Sequence, residues 1–249
     1  MRLEDPADDE FGLGGLASML KDFSVRIVAL PADPAAVIID FDEIFWPWWK
    51  ERQLTQVGSG GWICWGQEER PTAHAALHYA SAARRDDEPL QLSRYLALHR
   101  SGGIDLGLGH SGAWNRQDQR IFQLTSIVAH VWATMRLLAE VVTRWPTVSA
   151  PFELTVALRD TRGAVLGGVA EGWRDANHGA FGWEPPVCWD QNVILRLEVP
   201  DALDDPRARE LGERLGGWVE DAFGIRDRRF LPRTGDSAGH LDLSKFRSE

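Results

Sequence analysis

From residue 121 onward, Ile121, Leu124, Val128, Val131, Met135, Leu138, Val142 and Trp145 recur at alternating steps of three and four. That spacing keeps apolar side chains on one side of a 3.6-residue turn, so a long helix is predicted over 121–145. A coiled coil would place charges beside such a seam. Here the flanking residues are Thr125, Ile127, Trp132, Thr134, Ala139 and Val141, so the helix is expected to be wrapped by its own protein. Arg136, Glu140 and Arg144 mark its wet side, and Pro146 stops it.

Alternation with period two appears elsewhere. Phe152, Leu154, Val156 and Leu158 alternate with Glu153, Thr155, Ala157 and Arg159. The turn residues 160–163 follow, and the run from Val165 to Val169 is expected to return as the second strand of a hairpin. Val193, Leu195, Leu197 and Val199 predict a third strand. Asp205 and Pro206 then open a last helix with Leu211, Leu215, Trp218, Val219 and Phe223 on its buried side and Gly224 at its end. Gly212, Gly216 and Gly217 weaken that helix by about 1 kcal/mol each relative to alanine. Their expected compensation is a close approach to the sheet or to the central helix.

Earlier in the chain the pattern is shorter in range. Residues 11–23 are weakly helical and diluted by glycine. The β-branched runs 25–30 and 37–41, separated by Pro31 and Pro34, predict paired strands. Residues 62–65 predict a short strand, the alanine-rich stretch 73–83 a helix, and the charge run 84–89 a linker. A hairpin is expected from Tyr95 to Leu108 around Ser101, Gly102 and Gly103. The second half therefore reads α-β-β-β-α, with helices at its ends instead of alternating with strands. This predicts an α+β fold: an antiparallel-rich sheet packed on a long central helix and a C-terminal helix. The chain is read as one unit over 1–249, with possible sub-lobes 1–88, β-rich and tryptophan-rich, and 89–249.

Composition narrows the class. At 44% hydrophobic and 26% charged residues, the chain has enough apolar material for a packed core and is not of the disordered type. The net charge of −10 argues against a broad nucleic-acid surface, which needs clustered cations. Lysine occurs only at Lys21, Lys50 and Lys245, so the remaining cations are arginine, as a GC-rich bacterial genome would give. Cys64 and Cys188 form no metal-type pair, which points to a reducing cytoplasm. The acidic N-terminus lacks a signal pattern, and the apolar run 121–135 is too short to span a bilayer, so a soluble protein with no membrane partner is expected.

Tryptophan changes the picture most: 12, against 2 tyrosines. Trp46, Trp48 and Trp49 surround Pro47, Trp62 and Trp65 bracket Cys64, and Trp173, Trp183 and Trp189 share one irregular stretch. Indole is large and amphipathic, so such clusters build a core, an interface or a platform for a flat ligand.

Motifs with chemistry are incomplete. Gly109-His110-Ser111-Gly112-Ala113 resembles a G-x-S-x-G nucleophile elbow, but Ala113 replaces the final glycine. His74 and His78 would share one side of a helix, with Glu68, Glu69 or Cys64 as a third metal ligand. Ala75 stands where a metalloprotease carries its glutamate, so no metal is assigned. Gly12-Leu13-Gly14-Gly15 follows no strand and fails as a phosphate loop. Gln119, Gln123, Ser126, His130 and Thr134 form a polar stripe along the predicted helix, expected to bond to neighbouring backbone. No catalytic residue and no cofactor is assigned.

Two further groups could hold a ligand. The irregular segment 171–191 contains Trp173, His178, Trp183 and Trp189 beside Arg174, Asp175, Glu184 and Asp190, and long loops of this kind are often functional. Arg226, Arg228, Arg229 and Arg233 form the one basic patch and are anion-binding candidates, although nearby acids can pair with them. The leading expectation is a non-enzymatic accessory or regulatory module that binds a protein partner, or itself, through tryptophan-rich surfaces, with Trp46, Trp48, Trp49, Trp173, His178, Trp183 and Trp189 as candidates. The alternatives are a small-molecule hydrolase or transferase with its site under the 171–191 loop, and a nucleotide or nucleic-acid binder acting through the C-terminal arginines.

Overall fold

The computed structural model describes residues 19–20, 23–57, 61–66, 68–82, 91–109, 113–116, 119–167, 187–201 and 205–225. The proposed lead-in helix (11–23, apart from residues 19–20 and 23), the linker 84–89, His110 to Gly112, Trp173, His178, Trp183 and the four C-terminal arginines lie outside the described residues.

The fold is α+β. A seven-stranded antiparallel sheet has the order β12-β10-β1-β7-β6-β5-β4. Its strands are β1 (Ser24–Leu30), β4 (Glu68–Pro71), β5 (Ala75–Ser81), β6 (Leu92–His99), β7 (Ile104–Leu108), β10 (Phe152–Arg159) and β12 (Asn192–Val199). They come from both 1–88 and 89–249. A two-stranded ribbon joins β2 (Leu54–Val57) to β3 (Gly61–Cys64), and a small sheet has the order β11-β9-β8, from β8 (Ala113–Arg116), β9 (Gln119–Gln123) and β11 (Val165–Gly167). The described helices are α1 (Phe45–Glu51), α2 (Leu124–Arg144) and α3 (Asp205–Ala222).

The three-four spacing produces α2 as expected, although Ile121 and the polar Gln119 and Gln123 belong to the preceding strand β9. Burial extends almost all round the first half of α2, from Leu124 to Met135. One side meets Val25, Ile27, Leu96, Leu106, Leu154 and Val156 of the sheet in a single core. The other receives α3, whose Leu211, Leu215, Val219 and Phe223 are buried. Gly212 supplies the close approach that its position in a helix suggested. A Cβ there would stand 3.2 Å from Val128 Cγ1, tighter than ordinary contact. α2 is also the one described helix long and apolar enough to cross a membrane, but 72% of its apolar window is buried inside the protein.

Three expectations are corrected, each by tertiary pairing. Residues 37–41 form no strand, because both edges of β1 are taken by β10 and β7. That segment instead crosses the β6–β7 turn, where Ile38 and Ile39 N–H groups donate to the Arg100 carbonyl at 2.8 and 2.7 Å. The alanine-rich stretch 73–83 is not helical. Residues 75–81 are β5, paired with β6 and β4 and reversed by Thr72, whose hydroxyl accepts from Ala75 N–H at 2.9 Å. Ala75 and Ala76 are buried on opposite faces, so small side chains are tolerated there and ladder pairing overrides helix propensity. Finally, 165–167 does not return against β10, whose neighbours are β1 and β12. It pairs parallel to β9.

Candidate functional site

The tryptophans around Pro47 fold as α1. Asp42 Oδ1 accepts from the N–H groups of Ile44 and Phe45 at 3.0 and 2.8 Å, and Pro47 falls in the first turn, where a missing N–H costs little. Phe45, Trp48 and Trp49 are buried and Trp46 is half-buried. Trp49 stacks on His78 at 4.5 Å between ring centroids, and Trp48 meets Trp145 edge-on at 4.9 Å. Arg52 lies 4.6 Å over the Trp48 ring and bonds to Glu140 on α2 at 2.8 and 3.0 Å, clamping α1 to that helix. Thus Trp48 and Trp49 are core side chains. Trp65 belongs with them: its Nε1 donates to Thr55 Oγ1 at 2.8 Å and its ring meets His130 at 5.4 Å.

The metal reading of His74 and His78 is not supported by their placement. His74 lies in the turn that precedes β5 and His78 within β5, so the two are not on one side of a helix. His74 is exposed, whereas buried His78 donates through Nε2 to the Trp49 carbonyl at 2.9 Å. Among the described residues no group of three or more His, Cys, Asp or Glu side chains could hold a metal ion. Cys64 and Cys188 are both free thiols.

The helical part of the polar stripe bonds to its own helix, as expected. His130 Nδ1 lies 2.7 Å from the Ser126 carbonyl, which puts its proton on Nδ1, and Thr134 Oγ1 donates to the His130 carbonyl at 2.8 Å. Burial lowers the His130 pKa to about 4 against the opposing pull of that bond, and burial likewise brings His99 to about 4. Burial also lowers His78. With pKa values of about 4, His99 and His130 are neutral at pH 7 and neither is an imidazolium there.

A charged cluster that the sequence reading missed lies on the sheet face away from α2. Arg26 and Asp105 are 1% and 0% exposed. Arg26 donates from Nε to Oδ1 at 3.0 Å and from Nη2 to Oδ2 at 2.8 Å, and the Tyr95 hydroxyl donates to Oδ1 at 3.0 Å. Gly107, opposite Tyr95, makes room for the ring, since a Cβ there would sit 2.3 Å from Tyr95 Cε1. Burial, followed by the Asp105 charge, raises the Tyr95 pKa well above its ordinary value. The cluster ties β1, β6 and β7 together with its carboxylate fully engaged, which suits a structural role. Its signal was a lone charge as the second residue of each of two apolar runs, Val25 to Leu30 and Ile104 to Leu108.

The described end of the irregular segment presents the last group. Gly163 N–H donates to the Cys188 carbonyl at 2.8 Å, Cys188 N–H to Ala164 at 2.9 Å, Thr161 N–H to Gln191 at 2.8 Å and Thr161 Oγ1 to Asp190 at 2.7 Å. Arg120, which also bonds to Asp160, and Arg162, which donates to the Trp189 carbonyl at 3.3 Å, brace the turn. On this fixed backbone Trp189 is 83% exposed and Val187 40% exposed, immediately before β12, the edge strand of the sheet among the described residues. The chain matches no protein-family model, and searches of curated proteins and of solved structures returned no significant match.

Proposed function

We propose that this chain is a non-enzymatic accessory or regulatory module of the bacterial cytoplasm that binds a protein partner or a second copy of itself. The observation that carries the reading is Trp189, an indole 83% exposed on a backbone held by hydrogen bonds on both sides. An exposed tryptophan is costly in water, and it gains the most when a partner buries it. A fixed backbone lowers the entropy lost on binding. With Trp48 and Trp49 in the core, the binding surface is centred on Trp189 and Val187 beside β12, whose outer edge has no ladder neighbour among the described residues. The two free thiols and the acidic, arginine-biased composition support the compartment and source.

The test is a photo-crosslinking amino acid placed in cells at position 189, with the exposed position 50 on α1, at the far side of the sheet from β12, as the control. A discrete protein adduct from 189, identified by mass spectrometry as this chain or one partner, and none from 50, is the expected result. Absence of any protein adduct from both 189 and 187 would overturn the reading.

A further inference from the structure

We infer that the partner at this edge is a second copy of the chain, joined by antiparallel pairing of β12 with its own symmetry mate about a two-fold axis through Leu197. The inference rests on the protein-binding reading above and specifies its partner. Among the described residues β12 ends the seven-stranded sheet, leaving one side of an eight-residue strand without a ladder neighbour. Such an edge is a template for strand addition.

The side chains of β12 select the register. Val193, Leu195, Leu197 and Val199 face the core, where α3 packs against β12, and Leu195 and Leu197 are only partly buried there. Asn192, Ile194, Arg196 and Glu198 face the other way, and Arg196 and Glu198 are exposed. A two-fold axis perpendicular to the sheet keeps the two faces of both copies aligned and must pass through one residue. Through Arg196 it would set arginine opposite arginine, and through Glu198 it would set glutamate opposite glutamate. Through Leu195 it would leave Arg196 opposite Ile194. Through Leu197 it pairs Arg196 with Glu198 of the second copy twice, sets Leu197 against Leu197, and puts Leu195 beside Val199.

The neighbouring strand adds a second reason. Glu198 stands directly opposite Glu153 of β10, a like-charge cross-strand pair that destabilises the isolated edge. An arginine from the second copy, placed opposite Glu198, relieves that repulsion. Glutamate and arginine two residues apart on an edge strand guard it against unlike strands while remaining complementary to their own reverse.

Sedimentation of the full chain over a range of concentrations tests this. The wild type is expected to pass from monomer to dimer. Arg196→Glu and Glu198→Arg each create two like-charge contacts per dimer and should weaken association by roughly tenfold or more. The double variant restores both pairs in reverse and should recover to within about threefold of wild type, which a merely damaged fold would not do. As a second measurement, Leu197→Cys should form an intermolecular disulfide on mild oxidation, because opposed Cα atoms lie within disulfide reach. Leu195→Cys should not, since its two copies would stand about 13 Å apart along the strands. A wild type that stays monomeric, a double variant as weak as the singles, or equal cross-linking at 195 and 197 would overturn the pairing. If any of these occurs while position 189 still yields a protein adduct, the self-pairing falls and the protein-binding reading stands. Loss of both removes both.

Discussion

Replacing Asp105 by leucine should be among the most damaging single changes on the sheet. The carboxylate is fully buried and accepts three hydrogen bonds, two from Arg26 and one from Tyr95. Leucine would take from a guanidinium, itself 1% exposed, the carboxylate that accepts two of its hydrogen bonds. Breaking one side of a buried ion pair costs about 3–5 kcal/mol, and the orphaned Tyr95 hydroxyl adds about 1–3 kcal/mol. Against the roughly 5–15 kcal/mol that holds a domain folded, this is a large share. Arg26→Met should be harmful for the same reason, because it strands the carboxylate. The two changes together remove both charges, and their combined cost should fall well below the sum of the singles. Adding Tyr95→Phe then removes the hydroxyl that had donated to Asp105 and should recover a further part of the loss. Urea unfolding of the four variants, with slopes compared to confirm a common unfolded state, reads each value. A loss under about 1 kcal/mol in Asp105→Leu, or additive losses in the double variant, would refute the reasoning.

Two more predictions concern the core. Trp49→Ala should cost about 3–5 kcal/mol in urea unfolding, whereas Trp49→Phe should cost far less, because the buried indole nitrogen has no hydrogen-bond partner among the described residues. Equal losses in the two variants would contradict the packing role. Stability should also fall on acidification. His99 and His130 have folded-state pKa values of about 4 against 6.5 when unfolded, so between these limits the unfolded chain binds protons that the folded chain refuses. Their contribution is complete above pH 6.5 and is lost progressively as the pH falls towards about 4, at a scale of about 3 kcal/mol for each histidine. Urea midpoints at pH 7.5 and pH 5 measure it, and His130→Gln should flatten the difference. An unchanged midpoint in the wild type would contradict the burial of both rings.

The sequence disclosed what is local. The three-four spacing along α2, the period-two alternation of β10 and β12, and the proline and glycine that bound α3 are each written within one element, and each appears in the fold. Pairing partners are chosen at a distance, and there the reading failed. Residues 37–41 have the composition of a strand but find both edges of β1 occupied. Residues 75–81 have the composition of a helix but are held between two strands. Charge within an apolar run was a usable signal that went unread at Arg26 and Asp105. For the site, the sequence distinguished tryptophan clusters from ordinary composition but not core from surface. That distinction depends on whether a neighbour covers the indole, as α2 and His78 cover Trp48 and Trp49 and nothing comparable covers Trp189 among the described residues.

Hydrogen–deuterium exchange across residues 187–199 distinguishes a paired β12 edge from an open one. In a monomer, the β12 amides that bond to β10 exchange slowly, while those on the open side have no protein partner among the described residues and exchange fast. Raising the protein concentration through the association range should slow the open-side amides and the backbone around Trp189, leaving the amides of β1 and β7 unchanged. Open-side amides that exchange equally fast at every concentration, while the protein sediments as an assembled species, would show that this edge and its tryptophan are not where the protein binds.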